Sequence, residues 1–575
     1  MSVYDHDPVD FFNLELKEAY SRRVDSFLAD ILARSGIDTF ANAELAQKIN
    51  KLISDRDALE RKKILWIVLT LLLLLVAAVL LVGLWTLKSD GREISLKHWG
   101  IVGAYTIAAA VFIFCKCIPV IRRTGAMIAA LTTYIAEKIA EAKAQIAPLF
   151  SFMDWDTNTG LMEEIFPEAV YDKFLYRERV DDLLKNFGLD REFTGNRSVL
   201  YTHSGTFFGY PFVFLNTNCF TWGSRTYTGS LTIHWREVER DSDGRSRTVT
   251  KTEVLTASVT KPYPEFNEEK IMIFGHDAAP ELSFSRTPSS LSGAGNSLFN
   301  TIGRSWKMNR LKKLERNLED ESQFTMMSNR DFELLFNSTD RDDEVAYRLL
   351  YTPLAQQYMV KLLNDAKTGF GDDFMYFKSR MITAITAEHL NTLEFSTEPI
   401  QPDEYDLRIV MQKLKERFED FFRRIYFTFA PLMTVPLYLE TRPETVKTEA
   451  ATADISLWEL ESIANYHGES YYKHPASITG NLLKVHNASG QNGKITAQVT
   501  ASGFKGSPRT DFIAKRGGDG RMHTISVDWV EYTEVKRTTS LSASNAAGIP
   551  ESELKNSGMI LRRGILSSLP PTVVE

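Results

Sequence analysis

The stretch that decides the fold is ILWIVLTLLLLLVAAVLLVGLWTL, residues 64–87, which runs for 24 residues without a charged side chain. At a rise of 1.5 Å per residue, a helix of this length exceeds the ~30 Å hydrocarbon core of a bilayer. A second apolar run, residues 99–121, is uncharged until Lys116 near its end, and 11 residues, 88–98, join the two runs. The sequence therefore predicts a transmembrane hairpin with spans 64–87 and 99–121.

A cleaved signal peptide and the core of a soluble protein are the alternatives to a membrane hairpin. A signal peptide fits poorly because 63 residues, many of them charged, precede the first run, and no small-residue cleavage site follows it. A soluble core rarely contains a helix with 24 uncharged residues. We therefore interpret both runs as membrane-spanning.

Lysine and arginine residues near the ends of the runs predict the orientation of the hairpin. Six precede the first run, four follow the second and three lie in the connecting loop. They are Lys48, Lys51, Arg56, Arg61, Lys62 and Lys63; Arg122, Arg123, Lys138 and Lys143; and Lys88, Arg92 and Lys97. Because basic residues favour the cytoplasmic side, we expect both termini in the cytoplasm and the loop outside.

The composition of the 575-residue chain limits its class and its partners. The net charge of −7 argues against a nucleic-acid partner, since such binding requires neutralisation of phosphates. Three cysteines, two of them in the second apolar run, cannot build a disulfide framework. This agrees with a reducing, cytoplasmic location for the soluble regions.

The periodicity of apolar residues predicts an α+β fold: an N-terminal helical region, the two-helix transmembrane hairpin and antiparallel β-rich cytoplasmic modules. We expect N-terminal amphipathic helices over 1–63, the hairpin over 64–121 and a membrane-proximal helix over 122–150. A β-rich domain follows over 151–286, then a linker and basic helix over 287–323, an α+β module over 324–428 and a C-terminal β-rich module over 429–575.

Local patterns refine this division. Residues 9–35 carry apolar residues at helical spacing up to the stop signal Ser35-Gly36. Seams over 41–59 and 124–147 predict an antiparallel coiled coil beneath the membrane. Residues 197–275 alternate like antiparallel strands, and two glycine-containing turns, 241–244 and 517–520, indicate hairpins.

Three further expectations concern shorter segments. We expect a strand at 332–336, and a helix from Pro353 with Thr352 as its N-cap. We also expect separate strands over 494–502, 509–515 and 522–533. The tail after Gly558 is interpreted as loosely ordered.

No catalytic, cofactor-binding or metal-binding residues are assigned from the sequence. Cys115 and Cys117 point to different sides of one helix, so they cannot chelate together. The acidic residues 340–344 lack the glycine and terminal glutamate of a calcium loop and are expected to cap a helix. His467, His474 and His486 match no compact ligand spacing. Phosphate-loop, dinucleotide and nucleophile-elbow motifs are lacking.

A basic helical stretch over 304–316 is the candidate surface for anionic lipids. Each lysine or arginine near a negatively charged leaflet adds ~1 kcal/mol to membrane binding. The residues concerned are Arg304, Lys307, Arg310, Lys312, Lys313 and Arg316. The alternative is a solvated helix face balanced by the acids that follow it.

Residues 331–390 carry a specific resemblance. Phe332-Glu333, the acidic stretch 340–344, the segment 346–353 ending in Thr-Pro, and Ala384-Ile385 occur in this order. Over about 149–428, and most strongly at 331–390, the chain resembles a bacterial membrane-protein family known only as domain of unknown function 3137. Residues 149–284 fit the family pattern more loosely, and the C-terminal 145 residues fall outside it. The resemblance implies an N-terminal helix, a membrane hairpin and a β-rich domain at the bacterial cytoplasmic membrane, and it implies no catalytic residues.

These observations favour a membrane-anchored, cytoplasm-facing, non-catalytic interaction or scaffold protein. We expect an integral membrane location, a protein partner and no nucleic acid, and a homo-oligomer is compatible with the pattern. A lipid-sensing or membrane-organising protein is the first alternative. An enzyme with an unrecognised site is the second.

Overall fold

The structure is a computed structural model that describes residues 7–89, 96–191, 193–240, 246–288, 327–338, 340–395, 404–442, 454–491, 494–546 and 560–568. The chain is α+β and divides into two compact units. Unit 1 comprises Met1–Arg23, Trp155–Thr397 and Glu419–Glu575. Unit 2 comprises Val24–Asp154 and Glu398–Phe418.

The N-terminal third is helical. Its elements are α1 (Pro8–Phe11), a π-helical turn (Phe12–Leu16), α2 (Lys17–Ser35), α3 (Thr39–Ser89), α4 (Leu96–Phe112), a second π-helical turn (Ile113–Cys117) and α5 (Ile118–Phe150). Gly36 follows α2 with a φ of +66°, the left-handed conformation in which glycine ends helices. The prediction of helical structure over 9–35 is confirmed by α1, the first π-helical turn and α2, and the helix predicted over 124–147 is confirmed by α5.

Two helices in unit 2 are long and apolar enough to cross a membrane, Thr39–Lys88 and Leu96–Phe150. In the most apolar 18-residue window of each helix, the buried share is 6% for the first helix and 11% for the second. A core helix of a soluble protein would be largely covered by its neighbours. Here α3 packs against α4 and α5, while most apolar side chains of these windows remain uncovered.

Unit 1 contains a seven-stranded antiparallel sheet. Its strands are β1 (Ala169–Tyr171), β2 (Arg197–Phe207), β3 (Tyr210–Arg240), β4 (Ser246–Gly275), β5 (Ser283–Arg286), β6 (Phe374–Ser379) and β7 (Ile382–Ala387), in the order β1-β2-β3-β4-β7-β6-β5. The helices of this unit are α6 (Thr157–Glu163), α7 (Arg177–Lys185), α8 (Arg330–Phe336), α9 (Glu344–Leu350), α10 (Pro353–Asn364) and α11 (Glu388–Asn391), and α12 (Leu407–Met433) begins in unit 2 and ends in unit 1. Thr352 caps α10, as predicted.

The prediction of a strand at 332–336 is wrong, because these residues form α8. The side chain of Asn329 accepts hydrogen bonds from the amides of Asp331 and Phe332 and thereby caps the helix. Phe332 and Phe336, four residues apart, are both buried on one face. A short apolar run does not distinguish a strand from a helix by periodicity.

A second sheet in unit 1 has five antiparallel strands, β8 (Leu482–Gln491), β9 (Lys494–Arg516), β10 (Met522–Asn545), β11 (Ile560–Arg562) and β12 (Ile565–Ser568). Their order is β11-β12-β10-β9-β8, and α13 (Leu457–Tyr466) and α14 (Glu469–Tyr472) precede them. The strands predicted over 494–502 and 509–515 are one continuous strand. The interpretation of the tail as loosely ordered is wrong for β11 and β12, which pair with each other and with β10.

The two long hairpins, β3–β4 and β9–β10, pack on one another to form what we call the β arm. Ile233 and Leu255 of the first hairpin form a small buried core with Ile525 of the second. The ammonium group of Lys261 lies 2.7 Å from a carboxylate oxygen of Asp511 and 4.2 Å from the ring centroid of Trp529. Apolar and charged contacts therefore both join the layers.

The close approach of the hairpins at Gly229 yields a first prediction. A Cβ at this position would overlap the main-chain carbonyl oxygen of Ser526, so Gly229→Val is expected to lower the free energy of unfolding by about 1–3 kcal/mol. The neighbouring, exposed Ser230 provides the control substitution Ser230→Val. Thermal unfolding of the full chain measures both. Equal stability of the two variants would contradict the close packing.

Candidate functional site

The residues singled out from the sequence do not form one centre in the structure. Cys115 is exposed and Cys117 is buried, both on the π-helical turn 113–117. His467 lies 2.8 Å from the hydroxyl of Ser567. Across the described ranges, no group of three or more His, Cys, Asp or Glu side chains is arranged to hold a metal ion. The basic residues of 304–316 lie outside the described residues.

The acidic residues 340–344 support local structure. Asp343 caps α9 by accepting a hydrogen bond from the amide of Ala346 at 2.9 Å, as predicted. Asp340 and Asp342 accept hydrogen bonds from the amides of Ser285 and Ser283 at 2.8 and 2.6 Å. These two carboxylates therefore hold β5 in place.

A row of Asp373, His389 and Thr428 resembles a catalytic relay in its residue types. The Nδ1 atom of His389 lies 2.6 Å from Asp373, and its Nε2 atom lies 3.0 Å from the hydroxyl of Thr428. However, Thr428 is fully buried and donates to the carbonyl oxygen of Arg424 at 2.9 Å. A nucleophile needs access to substrate, so we interpret this row as a connection between α11 and α12.

The most unusual buried chemistry of unit 1 surrounds the turn between β11 and β12. Arg562 pairs with Ile565, so Arg563 and Gly564 form a two-residue turn. Their φ angles, +49° and +76°, are both positive, as in a type I′ hairpin. Arginine rarely adopts a positive φ, and here the conformation directs two adjacent arginines into the protein.

The side chain of Arg562 lies in what we call the arginine cage, formed by Trp155, Tyr201, Tyr466 and Ser462. Its guanidinium carbon lies 5.4, 4.9 and 4.8 Å from the ring centroids of Trp155, Tyr201 and Tyr466. Its Nη1 atom donates to the carbonyl and hydroxyl oxygens of Ser462 at 2.8 and 2.9 Å. Stacking of a cation on aromatic faces is strengthened by removal from water, and Arg562 is 3% exposed.

Arg563 is buried beside the cage and contacts a carboxylate. Its Nη1 atom donates to the carbonyl oxygen of Thr202 at 2.6 Å and lies 3.5 Å from the Oε2 atom of Glu459. The same oxygen of Glu459 accepts hydrogen bonds from the Thr202 hydroxyl at 2.6 Å and the Leu175 amide at 3.0 Å. One carboxylate therefore connects β2, β11–β12 and the residues before α7.

Burial and charge act differently on the two arginines. Desolvation lowers the pKa of Arg562, against the opposing influence of Tyr201 and Glu459. Desolvation also acts to lower the pKa of Arg563, but Glu459 and Tyr201 outweigh it and the pKa is raised. The Nε atoms of both side chains are buried and have no hydrogen-bond partner among the described residues. The guanidinium groups are thus incompletely satisfied.

These residues were missed at the level of the sequence. Two adjacent charges in a short segment usually indicate a solvated surface, and their partners include Thr202, which lies 361 residues from Arg563. The one local signal is the order of residues in ILRRGILSS, where apolar pairs flank Arg-Arg-Gly. A glycine between two apolar segments is compatible with a hairpin turn, whereas the arginine before it is not a usual turn residue.

The arginine cage binds the guanidinium group of Arg562, which is carried by the hairpin β11–β12. Aromatic faces, main-chain carbonyl oxygens and a carboxylate are the groups that bind arginine without reacting with it. The hairpin adds to the sheet through β12 and β10, which supplies main-chain hydrogen bonds in addition. Comparison of the chain with protein-family models, curated proteins and solved structures found no match.

Proposed function

We propose that this protein is a two-pass membrane protein that holds the sheets of unit 1 in the cytoplasm as a non-catalytic binding scaffold. The uncovered apolar surface of the helices Thr39–Lys88 and Leu96–Phe150 is the observation that carries the proposal. Exposure of this much apolar surface to water would be unfavourable by about 25 cal/mol per Å². A bilayer removes this penalty.

The residues that flank the helices support the proposed orientation. Basic residues are more numerous before the first span and after the second than in the connecting segment 88–98. Under the positive-inside rule, this places both termini, and with them unit 1, on the cytoplasmic side. The resemblance to the bacterial family of unknown function implies the same arrangement.

The β arm supports a binding role. Val238, Val254, Phe512 and Met522 expose 58–70% of their surface on its strands. Large apolar side chains of this kind are the groups that protein interfaces bury at their centre. We therefore propose that the β arm lies in the cytoplasm and binds a protein partner.

Labelling of single cysteines tests the anchor and its orientation. In a chain with its three native cysteines replaced by serine, His98→Cys lies at the end of the connecting segment and Thr228→Cys is exposed on the β arm. We expect a membrane-impermeant maleimide to label His98→Cys in intact cells, and Thr228→Cys only after permeabilisation. Washing of membranes at alkaline pH should leave both variants in the membrane fraction. Labelling of Thr228→Cys from outside, or extraction by the wash, would overturn the proposal.

A further inference from the structure

One end of the apolar helices of unit 2 carries a group of four cations. Lys62 and Lys63 directly precede the apolar run of α3, and Arg122 and Arg123 directly follow the apolar run that ends at residue 121. The helices α3 and α5, which carry these side chains, pack against each other. In the membrane orientation proposed above, the four cations lie at the level of the headgroups of the cytoplasmic leaflet.

Two of these cations are neighbours across the contact between α3 and α5. A Cβ at Gly125 of α5 would lie 3.5 Å from the Nζ atom of Lys63, so this half-buried lysine lies against the main chain of α5. Arg122 precedes Gly125 by three residues and so occupies the same face of the helix. Arg123 is about 200° from Gly125 around the helix axis, and Lys62 is about 100° from Lys63. Lys63 and Arg122 are thus the pair that one ligand can contact together.

The protein itself does not neutralise the charges of this group. The described ranges 61–89 and 96–136 contain no aspartate or glutamate. The nearest acids of α3, Asp57 and Glu60, lie 2.7 and 3.8 Å from charged atoms of Arg56. Among the residues that the structure describes, none of the four cations takes part in an ion pair. A negatively charged ligand at this place therefore meets positive charge that no carboxylate has paired.

We infer that Lys63 and Arg122 bind the phosphate group of one anionic phospholipid of the cytoplasmic leaflet, an inference that rests on the proposed function for the position of these side chains at the membrane. Basic side chains between membrane helices on the cytoplasmic side are the groups that bind anionic lipid headgroups. The guanidinium group of Arg122 offers several N–H donors to phosphate oxygens, and the ammonium group of Lys63 offers a compact charge. Contact with α5 restricts Lys63 before the lipid binds, which reduces the entropy that binding costs.

The surface beside the pair favours a lipid over a soluble anion. Ile64 and Leu65, next to Lys63, expose 58% and 69% of their surface. Acyl chains cover such apolar surface, whereas inorganic phosphate leaves it uncovered. Because burial of apolar area is favourable, the anionic head and the apolar chains of one phospholipid match both features of this surface.

Binding of a fluorescent phosphatidylglycerol to the full-length chain in micelles of a non-ionic detergent tests this site. Lys63→Gln and Arg122→Gln are each expected to weaken binding about fivefold, because each removes one cation beside the phosphate. Lys63→Arg keeps the charge and should retain most of the binding. Lys62→Gln and Arg123→Gln remove equal charge at the same level but away from the helix contact, and should weaken binding less than about twofold. Unlabelled phosphatidylglycerol should displace the probe, whereas equal concentrations of phosphatidylcholine or inorganic phosphate should not.

The opposite results are equally defined. Equal losses in all four glutamine variants would overturn the site, since they would indicate general attraction of the lipid to a basic surface. Displacement of the probe by phosphatidylcholine or by inorganic phosphate would overturn the choice of an anionic lipid. The alkaline wash tests the membrane anchor separately. If the wash leaves the chain in the membrane while Lys63→Gln and Arg122→Gln bind the probe like the parent protein, the lipid site is refuted and the proposed function stands.

Discussion

Glu459→Ala is expected to lower the free energy of unfolding of the chain by about 3–5 kcal/mol, because it leaves buried charge without its partner. Glu459 and Arg563 are each 1% exposed at the side chain. Removal of the carboxylate also deprives the Thr202 hydroxyl and the Leu175 amide of their acceptor. Since single domains are stable by about 5–15 kcal/mol, this loss would remove a large share of the stability of unit 1.

A surface ion pair supplies the matched control. Arg509 and Glu531 lie on β9 and β10, with 2.7 Å between their charged atoms, but their side chains are 59% and 44% exposed. Glu531→Ala is therefore expected to change the free energy of unfolding by less than about 1 kcal/mol. Denaturant unfolding of the detergent-solubilised chain compares the two variants. Similar losses for Glu459→Ala and Glu531→Ala would show that the buried carboxylate does not hold the hairpin.

The parts of the fold that follow from local pattern could be predicted from the sequence. The apolar spacing in α2 and α5, the uncharged run in α3 and the alternation in β3 each persist over many residues. In segments of this length, the pattern of apolar residues alone is enough to predict the type of secondary structure. The cap of α10 is equally local, since Thr352 and Pro353 are adjacent to the amides they influence.

The continuity of β9 and the arginine cage could not be predicted in this way. Gly503, Gly506 and Pro508 resemble a break, but Gly503 is required because a Cβ there would overlap the side chains of Asn481 and Ser477. The cage is assembled from residues far apart in sequence, so the burial of Arg562 depends on tertiary contacts. In both places the decisive neighbour lies on another element, where no periodicity indicates it.

The free energy of unfolding is expected to fall as the pH is lowered from 6.5 to 5, because two histidines of unit 1 are buried in the neutral form. Desolvation lowers the pKa of His276 from 6.5 to about 3 and the pKa of His203 well below 6.5. Both side chains take up a proton near pH 6.5 in the unfolded chain. The unfolded state therefore binds more protons across this interval, and stability decreases with falling pH.

The surroundings of each ring explain why the folded protein excludes the proton. The Nδ1 atom of His276 accepts a hydrogen bond from the Ala278 amide at 2.9 Å, and its ring centroid lies 3.7 Å from that of Tyr210. Asp277 favours protonation of His276, but burial, with Lys378 and Arg442 as further contributions, outweighs it. Burial and the charge of Arg563 act in the same direction on His203. Protonation of His276 at Nδ1 would also break its bond to Ala278.

Each histidine should contribute a loss of up to about 1.4 kcal/mol per pH unit, or ~2 kcal/mol between pH 6.5 and 5. His276→Asn retains an acceptor near the Ala278 amide, and His203→Gln retains a donor near the Phe395 carbonyl, so both variants should flatten the pH dependence. His486→Asn, at an exposed position, should leave it unchanged. Burial lowers the pKa of Lys378 to about 7. This side chain therefore changes its charge in the folded state mainly above pH 6.5, outside the interval of the prediction. The free energy of unfolding is measured at several pH values. If His276→Asn and His203→Gln both keep the pH dependence of the parent protein, a neutral, buried state for these histidines is contradicted.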